Sequence, residues 1–206
     1  MSIAIIDYGA GNLRSVEKAL EKLGFKCIVT SDPSEIASSK GIILPGVGAY
    51  DSAVKELASK DLVGLIKESA LSGKPFLGLC LGMQLLFENS EEGEAEGFGV
   101  LKGSVKRFDP SKTSGGLKVP HMGWNNISIK KTSPIMHGIS ESSQVYFVHS
   151  YYCAPSDNGD ILTTTDYGGE FVSSVSRGNM FALQFHPEKS GDTGLKMLKN
   201  FGGLCK

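Results

Sequence analysis

The 206 residues are 40% hydrophobic and 21% charged, with 21 Lys+Arg against 22 Asp+Glu. That is enough apolar material for one substantial core, with none of the basic excess that marks a nucleic-acid or anionic-membrane binder. No apolar run reaches the roughly 18 residues of a membrane span, and no basic segment precedes the short apolar start. The expectation is one cytoplasmic domain over residues 1–206, with no membrane or nucleic-acid partner.

The first half alternates short apolar strands with amphipathic helices. Ile3 to Ile6 is a continuous apolar run ending at Asp7, as in a strand buried on both faces of a parallel sheet. Leu13, Val16, Leu20 and Leu23 recur at helical spacing, with Gly24 placed to stop the helix. Cys27 to Val29 and Gly41 to Leu44 read as the next strands. Asp61 is placed to cap a helix carrying Leu62, Leu65, Ile66 and Ala70. Pro75 to Leu79 is another buried strand, and a helix is expected from Leu81 to Phe87. After the acidic stretch Glu91 to Glu96 the pattern turns to β, with segments at 124–129, 144–148, 161–165 and 171–176. Asp157-Asn158-Gly159, Tyr167-Gly168-Gly169 and Arg177-Gly178-Asn179 read as hairpin turns. Met180 to Phe185 is a last apolar strand, and Leu195, Leu198 and Phe201 mark a closing helix. The pattern is an α/β domain with an added antiparallel portion.

The four cysteines, Cys27, Cys80, Cys153 and Cys205, contain no C-x-x-C pair, which argues against a disulfide framework or a metal site. Cys80 stands out by its setting. Gly78-Leu79-Cys80-Leu81-Gly82 falls between a buried strand and a helix, the form of a nucleophile elbow with Cys in place of Ser. A helix beginning at Leu81 would favour the thiolate, and the Leu81 N–H could donate to an oxyanion. A packing cysteine between two glycines is the plainer alternative. Phe185-His186-Pro187-Glu188 closes the last apolar strand. In extended chain His186 and Glu188 face the same side, as a general base and its orienting carboxylate. A surface His beside a solvated Glu is the alternative here. Leu44-Pro45-Gly46-Val47-Gly48 also follows a buried strand, and its glycines let backbone N–H groups approach a ligand, although an ordinary turn remains open.

Together these segments resemble the class I glutamine amidotransferases, whose nucleophilic Cys on a G-x-C-x-G elbow is followed distantly by H-P-E. The words Asp7 to Asn12, Pro45 to Gly48, Gly78 to Glu88, Pro120-His121-Met122-Gly123-Trp124-Asn125, Phe147 to Tyr152 and Gln184 to Ser190 resemble the glutaminase subunits of imidazole glycerol phosphate synthases. The resemblance runs from Ile3 to the final helix.

The resemblance implies a flavodoxin-like, mostly parallel central sheet flanked by helices, and no cofactor or metal. It implies glutamine as substrate, Cys80, His186 and Glu188 as the catalytic triad, and an oxyanion hole from Val47, Gly48 and Leu81. Gly46, Gln84, Glu92, His149, Ser150 and Tyr151 would bind glutamine, although Gln84 also reads as a solvated helix residue, Glu92 as one more charge of an acidic loop, and His149 equally as a structural residue. It also implies a (β/α)8-barrel cyclase partner that receives ammonia, with Asn12, Met122 and Trp124 at the interface. A glutaminase serving another synthase, and a noncatalytic subunit on the same fold, stay open.

Overall fold

The computed structural model describes residues 2–112 and 117–205; Met1, Thr113 to Gly116 and Lys206 lie outside them. The elements run β1 (Ile3–Ile6), α1 (Leu13–Lys22), β2 (Cys27–Thr30), α2 (Pro33–Ser38), β3 (Gly41–Leu44), α3 (Tyr50–Ser59), α4 (Leu62–Leu71), β4 (Phe76–Leu79) and α5 (Leu81–Gln84). Then come β5 (Asn89–Ser90), β6 (Gly103–Arg107), β7 (His121–Asn126), β8 (Ser128–Ile129), β9 (Gln144–His149) and β10 (Tyr151–Pro155). The chain closes with β11 (Ile161–Asp166), β12 (Glu170–Arg177), β13 (Met180–Leu183) and α6 (Gly191–Leu204).

Strands β2-β1-β3-β4-β13 pair in parallel in that order, the flavodoxin-like arrangement. Every residue of β1, β3, β4 and β13 is buried, because helices cover both faces and the strands have no side left for polar residues. Alternate residues feed two cores. Ala4, Ile6, Ile42, Leu44 and Phe76 pack with Leu57, Leu62 and Ile66 of α3 and α4. Ile3, Ile5, Ile43, Leu77 and Leu183 pack with Val16 and Leu20 of α1 and Met197, Leu198 and Phe201 of α6.

Beyond β13 the sheet turns antiparallel. β12 pairs with β13, β10 and β11, β10 continues to β6, and β5 joins β6 in parallel. β7 and β9 form a separate antiparallel pair.

Several local expectations are corrected. The helix after Cys80 ends at Gln84, not Phe87. The Leu86 and Phe87 N–H groups turn to the Met83 and Gln84 carbonyls, three residues back, while the Leu85 and Leu86 carbonyls accept the N–H groups of Phe98 and Leu101 from the returning chain. Asp61 makes no capping bond and sits at φ 55° in the α3–α4 link, whereas Asp32 caps α2 by accepting from Ser34 and Glu35 with Pro33 in the first turn. Asp157-Asn158-Gly159 is a 3₁₀ turn closed by Asp157. It is not a hairpin, since β10 and β11 do not pair with each other; both pair with β12, β10 pairing also with β6 and β11 with β8. The segment 124–129 divides, β7 pairing with β9 and β8 with β11. The hairpins at Gly168 and Gly178 are formed. All four cysteines are free, and no helix among the described residues is long and apolar enough to cross a membrane.

Candidate active site

Strand β4 ends one residue before Cys80, whose N–H donates to the Leu183 carbonyl at 2.7 Å. The backbone then reverses at φ 52° and ψ −109°, a region costly for a residue with a Cβ and characteristic of functional sites. The flanking glycines are steric requirements of that turn. A Cβ on Gly78 would lie 2.8 Å from the Gly82 carbonyl oxygen, and one on Gly82 would overlap the Leu44 carbonyl.

The register Leu183↔Leu79 brings the ends of β13 and β4 to the same edge of the sheet, so His186 emerges beside Cys80. Its Nδ1 donates to Glu188 Oε1 at 2.9 Å, with both side chains almost fully buried. The pair meets through a 3₁₀ turn over Pro187–Lys189, not through the extended chain expected from spacing. Ser190 locks this turn, donating Oγ–H to the His186 carbonyl and accepting the Tyr146 N–H. Burial by itself would push the His186 pKa down. The hydrogen bonds and charge interactions with neighbouring Cys80 and Glu188 outweigh it and raise it to about 9. His186 Nε2 and Glu188 Oε2 make no hydrogen bond within the described residues.

Cys80, Leu81, Gln84, Glu92, His149, Ser150, Tyr151, His186, Val47 and Gly48 line one cavity of about 360 Å³, together with Pro120 and Val148. Gly46 lies behind that cavity wall, beside Asn12 and Glu188 in a narrow second space. Its carbonyl accepts the Leu81 N–H at 3.4 Å. Because a trans peptide holds C=O and N–H on opposite sides, the Val47 N–H points away from Leu81. The expected oxyanion hole is therefore not formed in this structure, since the Gly46 carbonyl occupies its position.

Gln84 spends both amide protons, one on the Tyr151 carbonyl at 3.3 Å and one on Gln184 Oε1 at 3.1 Å. The acidic stretch is anchored: Asp51 accepts the N–H groups of Glu94 and Ala95, and Ser90 Oγ accepts that of Glu92. Burial raises the Glu92 pKa and the nearby Asp51 charge adds to this, while the Tyr50 N–H it accepts opposes both. His149 donates Nδ1–H to the Tyr151 carbonyl at 2.7 Å, and its Nε2 lies 3.0 Å from His121 Nδ1. The carbonyl fixes the tautomer, so His121 donates to His149 and accepts from Asn125 Nδ2 at 3.3 Å. Desolvation lowers His121 to about 4 and His149 to about 3. On β7, alternation puts His121 inside and leaves Met122 and Trp124 62% and 53% exposed. The Asn12 side chain accepts from Ser15 Oγ.

Gln184, His121 and Asp51 are given no role by the sequence reading. Gln184 had a signal: an amide inside an apolar strand must find buried partners.

A buried cysteine on a strained elbow and an imidazole–carboxylate pair, at one edge of a flavodoxin-like sheet, describe a class of enzyme. The class I glutamine amidotransferase family model matches residues 4–203, and the chain belongs to that family. Within it, the chain is 51% identical over 205 residues to imidazole glycerol phosphate synthase subunit HisH of Moorella thermoacetica, covering 99% of this chain and 95% of that one. It is 53% identical over 206 residues to the HisH subunit of Methanosarcina acetivorans, covering 98% of each. These likenesses put it in the HisH family. PurLQS from Thermotoga maritima shares the fold at a TM-score of 0.76 and 22% identity, over 100% of this chain and 99% of that one.

Proposed function

We propose that the chain hydrolyses glutamine to glutamate and ammonia through Cys80, His186 and Glu188. Its ammonia passes to a (β/α)8-barrel cyclase partner, which makes imidazole glycerol phosphate and aminoimidazole carboxamide ribonucleotide in histidine biosynthesis. The observation that carries the chemistry is the convergence of Cys80 and the His186–Glu188 pair on one cavity.

The Cys80 thiolate attacks the side-chain carbonyl carbon of glutamine, and the C=O electron pair moves onto oxygen. The His186 imidazolium, held protonated by Glu188, gives its proton to the amide nitrogen. The C–N bond breaks and ammonia leaves a glutamyl thioester. Neutral His186 then takes a proton from water, which attacks the thioester and expels the thiolate as glutamate forms. The oxyanion is received by the Leu81 N–H and by N–H groups of Val47 and Gly48, once the Gly46–Val47 peptide has turned over. Glu92 and the free Gln84 carbonyl oxygen suit the glutamine α-amino group, and Ser150 and Tyr151 form the facing wall.

Ammonia released into neutral water becomes ammonium, which has no lone pair for attack. Direct transfer to a docked synthase avoids that loss. Asn12, Met122 and Trp124 form the docking face, and the occupied oxyanion position makes the free chain slow until the loaded partner turns the peptide.

Glutamate release is measured for the chain alone, with the cyclase, and with the cyclase plus its nucleotide ligand. Strong stimulation by the loaded cyclase, abolished by Cys80→Ala and His186→Ala, is expected. Equal turnover with and without the loaded partner refutes the coupling; undiminished hydrolysis in both variants refutes the triad.

A further inference from the structure

The four-residue helix after Cys80 weakens the usual account of a reactive elbow cysteine. A helix dipole is a sum over aligned peptides, and one turn supplies little of it. The Leu81 N–H is also engaged by the Gly46 carbonyl. Beside His186, the sulfur has room for a further donor, and the hydrogen bonds around it identify one.

The Tyr151 carbonyl can only accept. It lies 3.3 Å from Gln84 Nε2, and this contact fixes which end of the Gln84 amide is nitrogen; the flipped amide would set two oxygens against each other. The same nitrogen lies 3.1 Å from the Gln184 amide, so the facing Gln184 atom must be the oxygen. The Gln184 nitrogen is then left on the other side, 3.7 Å from Cys80 Sγ. Gln184 is fully buried in the bend between β13 and His186, so water cannot substitute for these partners.

We propose that Gln184 donates a side-chain N–H to the Cys80 sulfur and holds it as thiolate, while its oxygen ties Gln84 to the nucleophile. A backbone carbonyl thereby sets the polarity of a two-amide relay that ends at the reacting atom. The role rests on Cys80 being the nucleophile, but not on glutamine being the substrate.

The test is the pH profile of Cys80 alkylation by iodoacetamide in the free chain, followed on the Cys80 peptide by mass spectrometry. It needs no substrate, so it separates this role from the glutaminase reading. Gln184→Leu removes the donor and Gln184→Glu keeps the shape while replacing the donor by an acceptor. Both are expected to slow alkylation at pH 7 about three- to tenfold, the size of one ordinary net hydrogen bond, and to converge with the unaltered chain at high pH. An unchanged profile, or an equal slowing at every pH with a lowered melting temperature, overturns the proposal. Should neither variant fold, the unaltered chain still decides. With 15N-labelled glutamine side chains, the Gln184 amide protons are expected to shift over the pH range in which Cys80 becomes reactive. That shift should be missing in Cys80→Ala; its presence there refutes the role.

Discussion

Gly82 has no room for a side chain, because a Cβ would overlap the Leu44 carbonyl, which is backbone and cannot swing aside. Gly82→Ala is therefore expected to cost about 3 kcal/mol or more, or to prevent folding, as read by urea unfolding. Gly64, in α4 with nothing within 4 Å of its Cβ position, is the contrasting case. Gly64→Ala should be neutral or stabilising by up to about 1 kcal/mol in the same assay. The sequence displays the motif Gly78 to Gly82 but not this distinction, because what forbids a methyl at Gly82 comes from β3, a strand distant in the chain. The same limit hid Gln184: its polarity within an apolar strand was visible, while its partners Gln84 and Cys80 lie 100 and 104 residues away.

At the scale of elements, β7 is a two-faced strand. Its inner face carries His121, stacked on Phe147 and Tyr167 with centroids 4.7 and 3.9 Å away and joined to His149. The folded state keeps both imidazoles neutral, with pKa values lowered to about 4 and about 3, while the unfolded chain takes up protons near pH 6.5. Between those values the unfolded state binds more protons, so stability falls as pH drops from about 6.5 toward 4. The loss is on the order of 2 kcal/mol per imidazole by pH 5. Melting temperatures across that range should show the slope, and His121→Asn should flatten it. The parallel strands were legible because burial on both faces makes each a short apolar run. The helix at 81–87 was overread because apolar residues continue past Gln84, although their carbonyls serve returning chain. Strands β6 and β10 went unread because their mixed residues gain order only by pairing with each other.

On the molecule as a whole, Val47, Leu71, Met122 and Trp124 are the large apolar side chains left exposed among the described residues. Val47 sits on the rim of the cavity, and Pro120, two residues before Met122, lines it. The proposed docking face would draw on these apolar groups beside the cavity. Trp124 is the single tryptophan, so intrinsic fluorescence reports on that face alone. A blue shift on adding the barrel cyclase is expected, and Trp124→Ala should weaken association about tenfold or more by titration calorimetry. An unmoved spectrum in a complex detected by other means would place the interface elsewhere. Strand β13 lies in the interior of the sheet between β4 and β12, although it follows them both in sequence. During synthesis, then, the emerging chain carries its nucleophile more than a hundred residues ahead of its base, with the β4 edge still unpaired. Until the final strand slots in, the thiol lacks both His186 and the Leu183 carbonyl that pins its turn. Nascent or clipped chains ending before β13 are therefore expected to hydrolyse no glutamine, with reactivity arising only as the sheet is completed.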